Sequence, residues 1–207
     1  MSARDDVLAR VRSANASGAA PLADAPRDYA QTGTFAPGST DAVDLLEDRL
    51  VDYKAAVTRT GPDGIGAAVT AALNGAARVV VPSGLDAEWV TGAERVLDDG
   101  SLTSLDLDRL DGVVTAATVA CAVTGTIVLD GSPDQGRRAI SLVPDLHVCV
   151  VRADQVVHSV PEMLSRVEPT RPLTLISGPS ATSDIELERV EGVHGPRTLH
   201  VVIVTAA

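Results

Sequence analysis

Residues 173–204 read LTLISGPSATSDIELERVEGVHGPRTLHVVIV. The apolar runs Leu173 to Ile176 and Leu199 to Val204 are short and carry no helical period, so they predict strands. Between them Gly178-Pro179 and Gly192 to Pro196 punctuate the chain. Ser180, Thr182 and Ser183 form a hydroxyl-rich loop. Ser183 suits the N-cap of a helix beginning at Asp184, and Glu186 completes a capping-box pattern with it. Strand, loop and helix N-terminus in that order is a place where backbone N–H groups can face an anion. The same residues serve a plainer purpose equally well: the glycines make turns, and Ser183, Asp184 and Glu186 cap a helix.

Composition narrows the class. The 207 residues suit one domain, or one domain with an appendage. Apolar residues make up 45% but aromatics only 2%, so the core must be built from Val, Leu, Ile and Ala. That favours buried parallel strands flanked by helices. A net charge of −11 repels phosphate backbones and argues against nucleic acid as a partner. Cys121 and Cys149 stand alone, with no zinc or iron–sulfur spacing, and are expected to be buried core thiols in a reducing compartment. No apolar run is long enough to span a bilayer, and the N-terminal residues mix acids with bases around no apolar signal core. A cytoplasmic protein that does not enter a membrane is expected.

Along the chain, Ser2 is expected to cap a helix from Ala3 to about Ser13, followed by a linker or extended arm from Asn15 to Ser39. Thr40 is expected to cap a helix to Tyr53 that turns Val43, Leu46 and Leu50 inward. Strands and helices then alternate. Strands are expected at Ala55 to Arg59, Arg78 to Val81 and Leu102 to Leu105. Helices are expected at Asp63 to Asn74, stopped by Gly75, at Asp86 to Val90, and as one turn from Asp106 to Leu110. Val113 to Thr118 and Ala120 to Leu129 are β-prone, the latter broken by Thr124-Gly125-Thr126. His147 to Val151 reads as a strand and Pro161 to Val167 as a helix capped by Ser159. The order predicts an α/β fold with a mostly parallel sheet flanked by helices and an N-terminal helical arm: residues 1–39 as helix and arm, 40–207 as the α/β domain.

Several residues could carry chemistry. Gly125 within Thr124-Gly125-Thr126 either lets a ligand approach the backbone or makes a bulge. Arg138 and Arg137 follow that segment, and arginine suits bidentate capture of carboxylate or phosphate, although a solvated surface charge is its ordinary role. His194 either transfers protons near neutral pH or holds its turn. Trp89 is read as packing. No nucleophile elbow, phosphate-binding P-loop or dinucleotide fingerprint is present.

Four phrases taken in order carry a resemblance: TGTIVL at 124–129; Arg138-x-x-Ser141-Leu142-x-Pro144 with His147 close behind; GPSATSDIE at 178–186; and GVHGP at 192–196. Together they resemble the lactate-utilization (LUD) domain family, in its short form, over roughly residues 41–204. The resemblance implies a fold similar to that of ribose-phosphate isomerases, glucosamine-phosphate deaminases and CoA transferases. It implies membership of a set of three proteins that oxidises L-lactate to pyruvate. In that set the partner proteins carry iron–sulfur clusters, so this chain would be the cluster-free accessory subunit with no cofactor of its own. A small anionic ligand would be bound by Thr124, Gly125, Thr126, Arg138, Gly178, Ser180, Thr182 and Ser183, with His194, Asp184 and Glu186 as the candidate proton-transfer groups. The chain departs from the family at Val123, where an acid is frequent, at Ala181, where Arg or Lys is frequent, and at Ser183, where Ala is frequent. Two rival expectations stand beside this one. The first is a free-standing enzyme on a sugar phosphate or acyl-CoA. The second is a scaffold module without chemistry.

Overall fold

The computed structural model describes residues 2–18, 26, 28–182, 190–191 and 195–205. The helix expected from Asp184 lies outside the described residues. Two compact units are present, Met1–Ala30 and Gln31–Ala207.

In the first unit, helix α1 spans Ala3–Gly18. Ser2 and Asp5 cap it reciprocally: the Asp5 backbone N–H donates to Ser2 Oγ, and the Ser2 backbone N–H to Asp5 Oδ2 at 3.0 Å. The helix outruns its expected end. Asn15 to Gly18, read as the start of a linker, continue it, because no breaker intervenes before Gly18.

In the second unit, helix α2 (Thr40–Asp52) leads into strand β1 (Ala56–Thr60). Ser39 rather than Thr40 is the N-cap, its side chain accepting from the Ala42 N–H. Helix α3 (Ile65–Leu73) ends at Asn74, which takes the left-handed conformation one residue before the expected Gly75. Strands β2 (Arg78–Pro82) and β3 (Glu94–Asp98) follow. The strand expected at Leu102 to Leu105 is absent. Thr103 instead caps helix α4 (Ser104–Asp108) through a capping box with Asp106. The Thr103 and Asp106 backbone N–H groups each donate to the other residue's side chain, which satisfies two donors at the helix N-terminus.

Strands β4 (Gly112–Ala116), β5 (Val119–Cys121), β6 (Thr126–Leu129), β7 (Leu146–Arg152) and β8 (Val156–Val157) come next. Helix α5 (Val160–Ser165), capped by Ser159 with Glu162, precedes β9 (Thr174–Ile176). Then come β10 (Ala181–Thr182), β11 (Val190–Glu191) and β12 (Thr198–Val204).

Six strands form a wholly parallel sheet in the order β1-β12-β7-β4-β2-β3. Its middle is apolar on both faces, which is why LHVVIV reads as a near-continuous hydrophobic run. On one face Leu199, Val201 and Ile203 pack with Ala42, Val43, Leu46 and Leu50 of α2. On the other, Val202 and Val204 pack with Ile65, Val69 and Leu73 of α3. Leu46 and Leu50 are fully buried, each stabilising the fold by roughly 1.5–3 kcal/mol.

A second, mixed sheet, β8-β5-β6-β9, was not separable in the sequence from the first. In it β5 and β6 pair antiparallel, with Thr124-Gly125 at the connection. Strands β10 and β11 make a small antiparallel pair. Trp89 packs on the core beside α3.

Candidate functional site

Two glycines set the site's geometry by letting loops approach α2. Gly125 has φ +60, and a Cβ there would lie 2.9 Å from Arg49 Cβ. Gly178 has φ +79, and a Cβ there would lie 2.6 Å from Tyr53 Cβ and 2.8 Å from the Tyr53 carbonyl oxygen. Both positions need a left-handed backbone and no side chain. The loops they begin are also tied to each other: Thr126 Oγ1 and Ser177 Oγ are 2.8 Å apart, and Thr124 Oγ1 donates to Thr126 Oγ1 at 2.8 Å. The Ser180 N–H donates to the Pro196 carbonyl at 2.9 Å, joining the last two motif phrases.

A hollow of about 300 Å³ results. Its walls are the turn Arg138 to Leu142, strand β9 with Ser177 to Ala181, and Gly195-Pro196 with Leu199. Among the expected ligand-binding residues, Arg138, Gly178 and Ser180 line it directly. Thr126 is buried and reaches it only through Ser177. Thr124 instead borders a different hollow beside Arg49 and Tyr53. Thr182 lies in β10, next to the lining residue Ala181. Ser183, Asp184, Glu186 and His194 lie outside the described residues.

Arg138 is exposed, and among the described residues its guanidinium takes no carboxylate or carbonyl partner. Its backbone is fixed, since Ser141 Oγ, itself buried, donates to the Arg138 carbonyl at 3.0 Å. The neighbouring Arg137 gives its Nε to Asp98. An unspent guanidinium at the mouth of a polar-lined hollow is suited to hold a carboxylate or phosphate oxygen pair.

His147 also lines the hollow; the sequence places it close behind the Arg138 motif phrase and at the opening of a strand, without assigning it to the site. It is 1% exposed, and Nε2 lies 2.8 Å from Thr115 Oγ1. Thr115 Oγ1 donates to Cys149 Sγ at 3.7 Å, and Cys149 Sγ to the Ala116 carbonyl at 3.8 Å. With the Thr115 hydroxyl proton given to Cys149, that oxygen accepts from His147, which places the imidazole proton on Nε2. Burial lowers the His147 pKa to about 4 and raises that of Cys149 to about 12. The ring is therefore neutral at pH 7 and offers hydrogen bonding, not charge. Besides its place behind the Arg138 phrase, the signal was a histidine between Leu146 and Val148 in an otherwise apolar run, where a buried polar side chain needs a partner.

Among the described residues no group of three or more His, Cys, Asp or Glu could hold a metal ion. Cys121 and Cys149 are free and buried. No helix among the described residues is long and apolar enough to cross a membrane.

A parallel α/β sheet with the Arg138 turn, the Gly178-Pro179-Ser180 loop and Gly195-Pro196 around one hollow defines the class. The LUD domain model matches residues 86–204, and the chain belongs to that family. A Deinococcus radiodurans protein named lactate utilization protein C is 52% identical over 164 residues, covering 77% of each chain. The protein of the same name from Anoxybacillus flavithermus is 33% identical over 104 residues, covering 47% of this chain and 46% of that one. The crystal structure of a DUF162 family protein from Deinococcus radiodurans matches with a TM-score of 0.68 and 41% identity, covering 79% of this chain and 96% of that one.

Proposed function

We propose that this chain acts in lactate utilization, as the cluster-free accessory subunit of a system that oxidises L-lactate to pyruvate in the cytoplasm. The observation that carries the reading is the 52% identity, over 77% of both chains, to a protein named for lactate utilization. The iron–sulfur clusters of that system would reside on partner proteins. Its ligand would be a small carboxylate held by Arg138 in the 300 Å³ hollow. Lactate has one carboxylate and one hydroxyl: an arginine complements the first, and the acceptor Nδ1 of a neutral His147, left over by the Nε2–Thr115 bond, would complement the second.

The test is reconstitution. Lactate oxidation would be measured with the iron–sulfur partner proteins, with and without this chain. The expected result is loss of activity without it. Unchanged oxidation after its removal sinks the subunit role.

A further inference from the structure

A second hollow, of about 600 Å³, shares Arg138, Ser141 and Thr174 with the first. It adjoins the carboxyl ends of β2 and β3, where Ser83 and Asp98 stand, and the turn from Gly131 to Gly136. Three arginines border it, Arg137, Arg138 and Arg171, in a chain whose net charge is −11. Such convergence runs against the charge of the chain as a whole.

Two of these guanidiniums are pinned from behind. Arg137 Nε donates to both Asp98 oxygens at 2.9 and 3.0 Å, and Nη2 donates to the Leu102 carbonyl at 2.6 Å. Arg171 Nη1 donates to Asp130 Oδ2 at 2.8 Å and to Ser132 Oγ at 3.1 Å. The two acids are nearly inaccessible, with side chains 4% and 7% exposed, while their arginines are 36% and 41% exposed. The carboxylates are thus spent on orienting the arginines. Asp99, at the rim, is occupied by the Ser101 backbone N–H and hydroxyl. Among the described residues Arg137 Nη1 and Arg171 Nε and Nη2 take no partner. Holding a guanidinium in place before a ligand arrives removes part of the ordering cost of binding.

We propose that the two hollows are one site for a ligand with two anionic ends, a carboxylate on Arg138 in the smaller hollow and a phosphoryl group on Arg137 and Arg171 in the larger. This rests on the reading of the first hollow as an anion site. A phosphoryl group carries nearly two charges and three acceptor oxygens, which matches two oriented guanidiniums better than a single carboxylate does. The chemical class is a phosphorylated hydroxy acid, and a linear dicarboxylate is its rival.

Calorimetry on the full chain tests it with four probes: lactate, inorganic phosphate, 3-phosphoglycerate and succinate. The expected result is 3-phosphoglycerate binding at least roughly tenfold tighter than any of the others. Arg171→Lys keeps a cation against Asp130 but loses the outward N–H groups. It should weaken 3-phosphoglycerate roughly tenfold, with lactate affinity read in parallel as the control for the smaller hollow. Arg137→Lys carries the same expectation should the first variant fail to fold. Succinate matching 3-phosphoglycerate overturns the phosphoryl assignment. Lactate bound with no gain from a phosphoryl group overturns the two-ended site and leaves the first hollow's reading standing. Tight 3-phosphoglycerate binding without lactate binding upholds the two-ended site and removes lactate as the ligand.

Discussion

Thr126 Oγ1 and Ser177 Oγ stand 2.8 Å apart, although 51 positions separate them in sequence. The contact links the start of β6 to the residue after β9, so the TGT segment supports the GPS loop from behind. Thr126→Val leaves Ser177 without that partner and is expected to destabilise the fold by about 1 kcal/mol. Urea midpoints of Thr126→Val, Ser177→Ala and the double variant form a cycle. A coupling near zero would show that the two hydroxyls do not act together.

Gly178→Ala puts a methyl group 2.6 Å from Tyr53 Cβ and 2.8 Å from the Tyr53 carbonyl, at a positive φ. The expected loss is roughly 1–3 kcal/mol, together with weaker ligand binding, because the wall of the hollow must shift. Thermal unfolding checks the first and calorimetry the second. Gly75→Ala is the control: its φ is +87 but a Cβ there meets nothing within 4 Å, so it isolates backbone strain from the steric clash.

His147 gives stability a pH dependence. Its folded pKa, about 4, lies below the ordinary 6.5 because burial disfavours the imidazolium. Unfolding therefore takes up a proton between these values. The contribution is fully present above pH 6.5 and is lost progressively down to pH 4, amounting to roughly 3 kcal/mol. His147→Gln should flatten that part of the urea-stability profile. The ring's NMR signals should hold their neutral shifts from pH 8 to 5, and titration near 6.5 would contradict the burial argument.

Asp130 acts at lower pH. Burial opposes its ionisation, but hydrogen bonds from Ser132 and Thr118 and the charge of Arg171 outweigh it, leaving the pKa below the ordinary 3.8. A depressed carboxylate stabilises above its unfolded pKa and ceases to as pH falls through the folded one. Asp130→Asn should be less stable than the parent at pH 7, with the gap closing below about pH 4. A gap that stays constant in acid would show that the ion pair contributes nothing.

Legibility followed burial. The strand β12 was plain because both faces of LHVVIV are covered, so nearly every position is apolar. Strand β3 was not: ERVLD lies at the sheet edge, paired on one side only, and its exposed residues erase the pattern. The stretch Leu102 to Leu105 looked like a strand because two leucines flank Thr103 and Ser104, but the cap that Thr103 makes with Asp106 outweighs that spacing. At the site, Arg138, Gly178 and Ser180 were within reach of motif reading, since loops carry them. His147 accompanies one motif phrase, but its role was not legible, because its partner Thr115 lies 32 positions away on another strand. Arg171, too, shows its relation to Asp130 only once β6 and β9 have paired.

Strand β12 follows the other five members of its sheet in chain order yet occupies a place between β1 and β7. A ribosome therefore delivers both neighbours before the strand that joins them. Until then β1 and β7 lack the partner that β12 supplies, and unpaired strand edges are the kind of surface on which nascent chains aggregate. The sheet is closed by its keystone, and chaperone demand in the cell should concentrate in the time before residues 198–204 emerge.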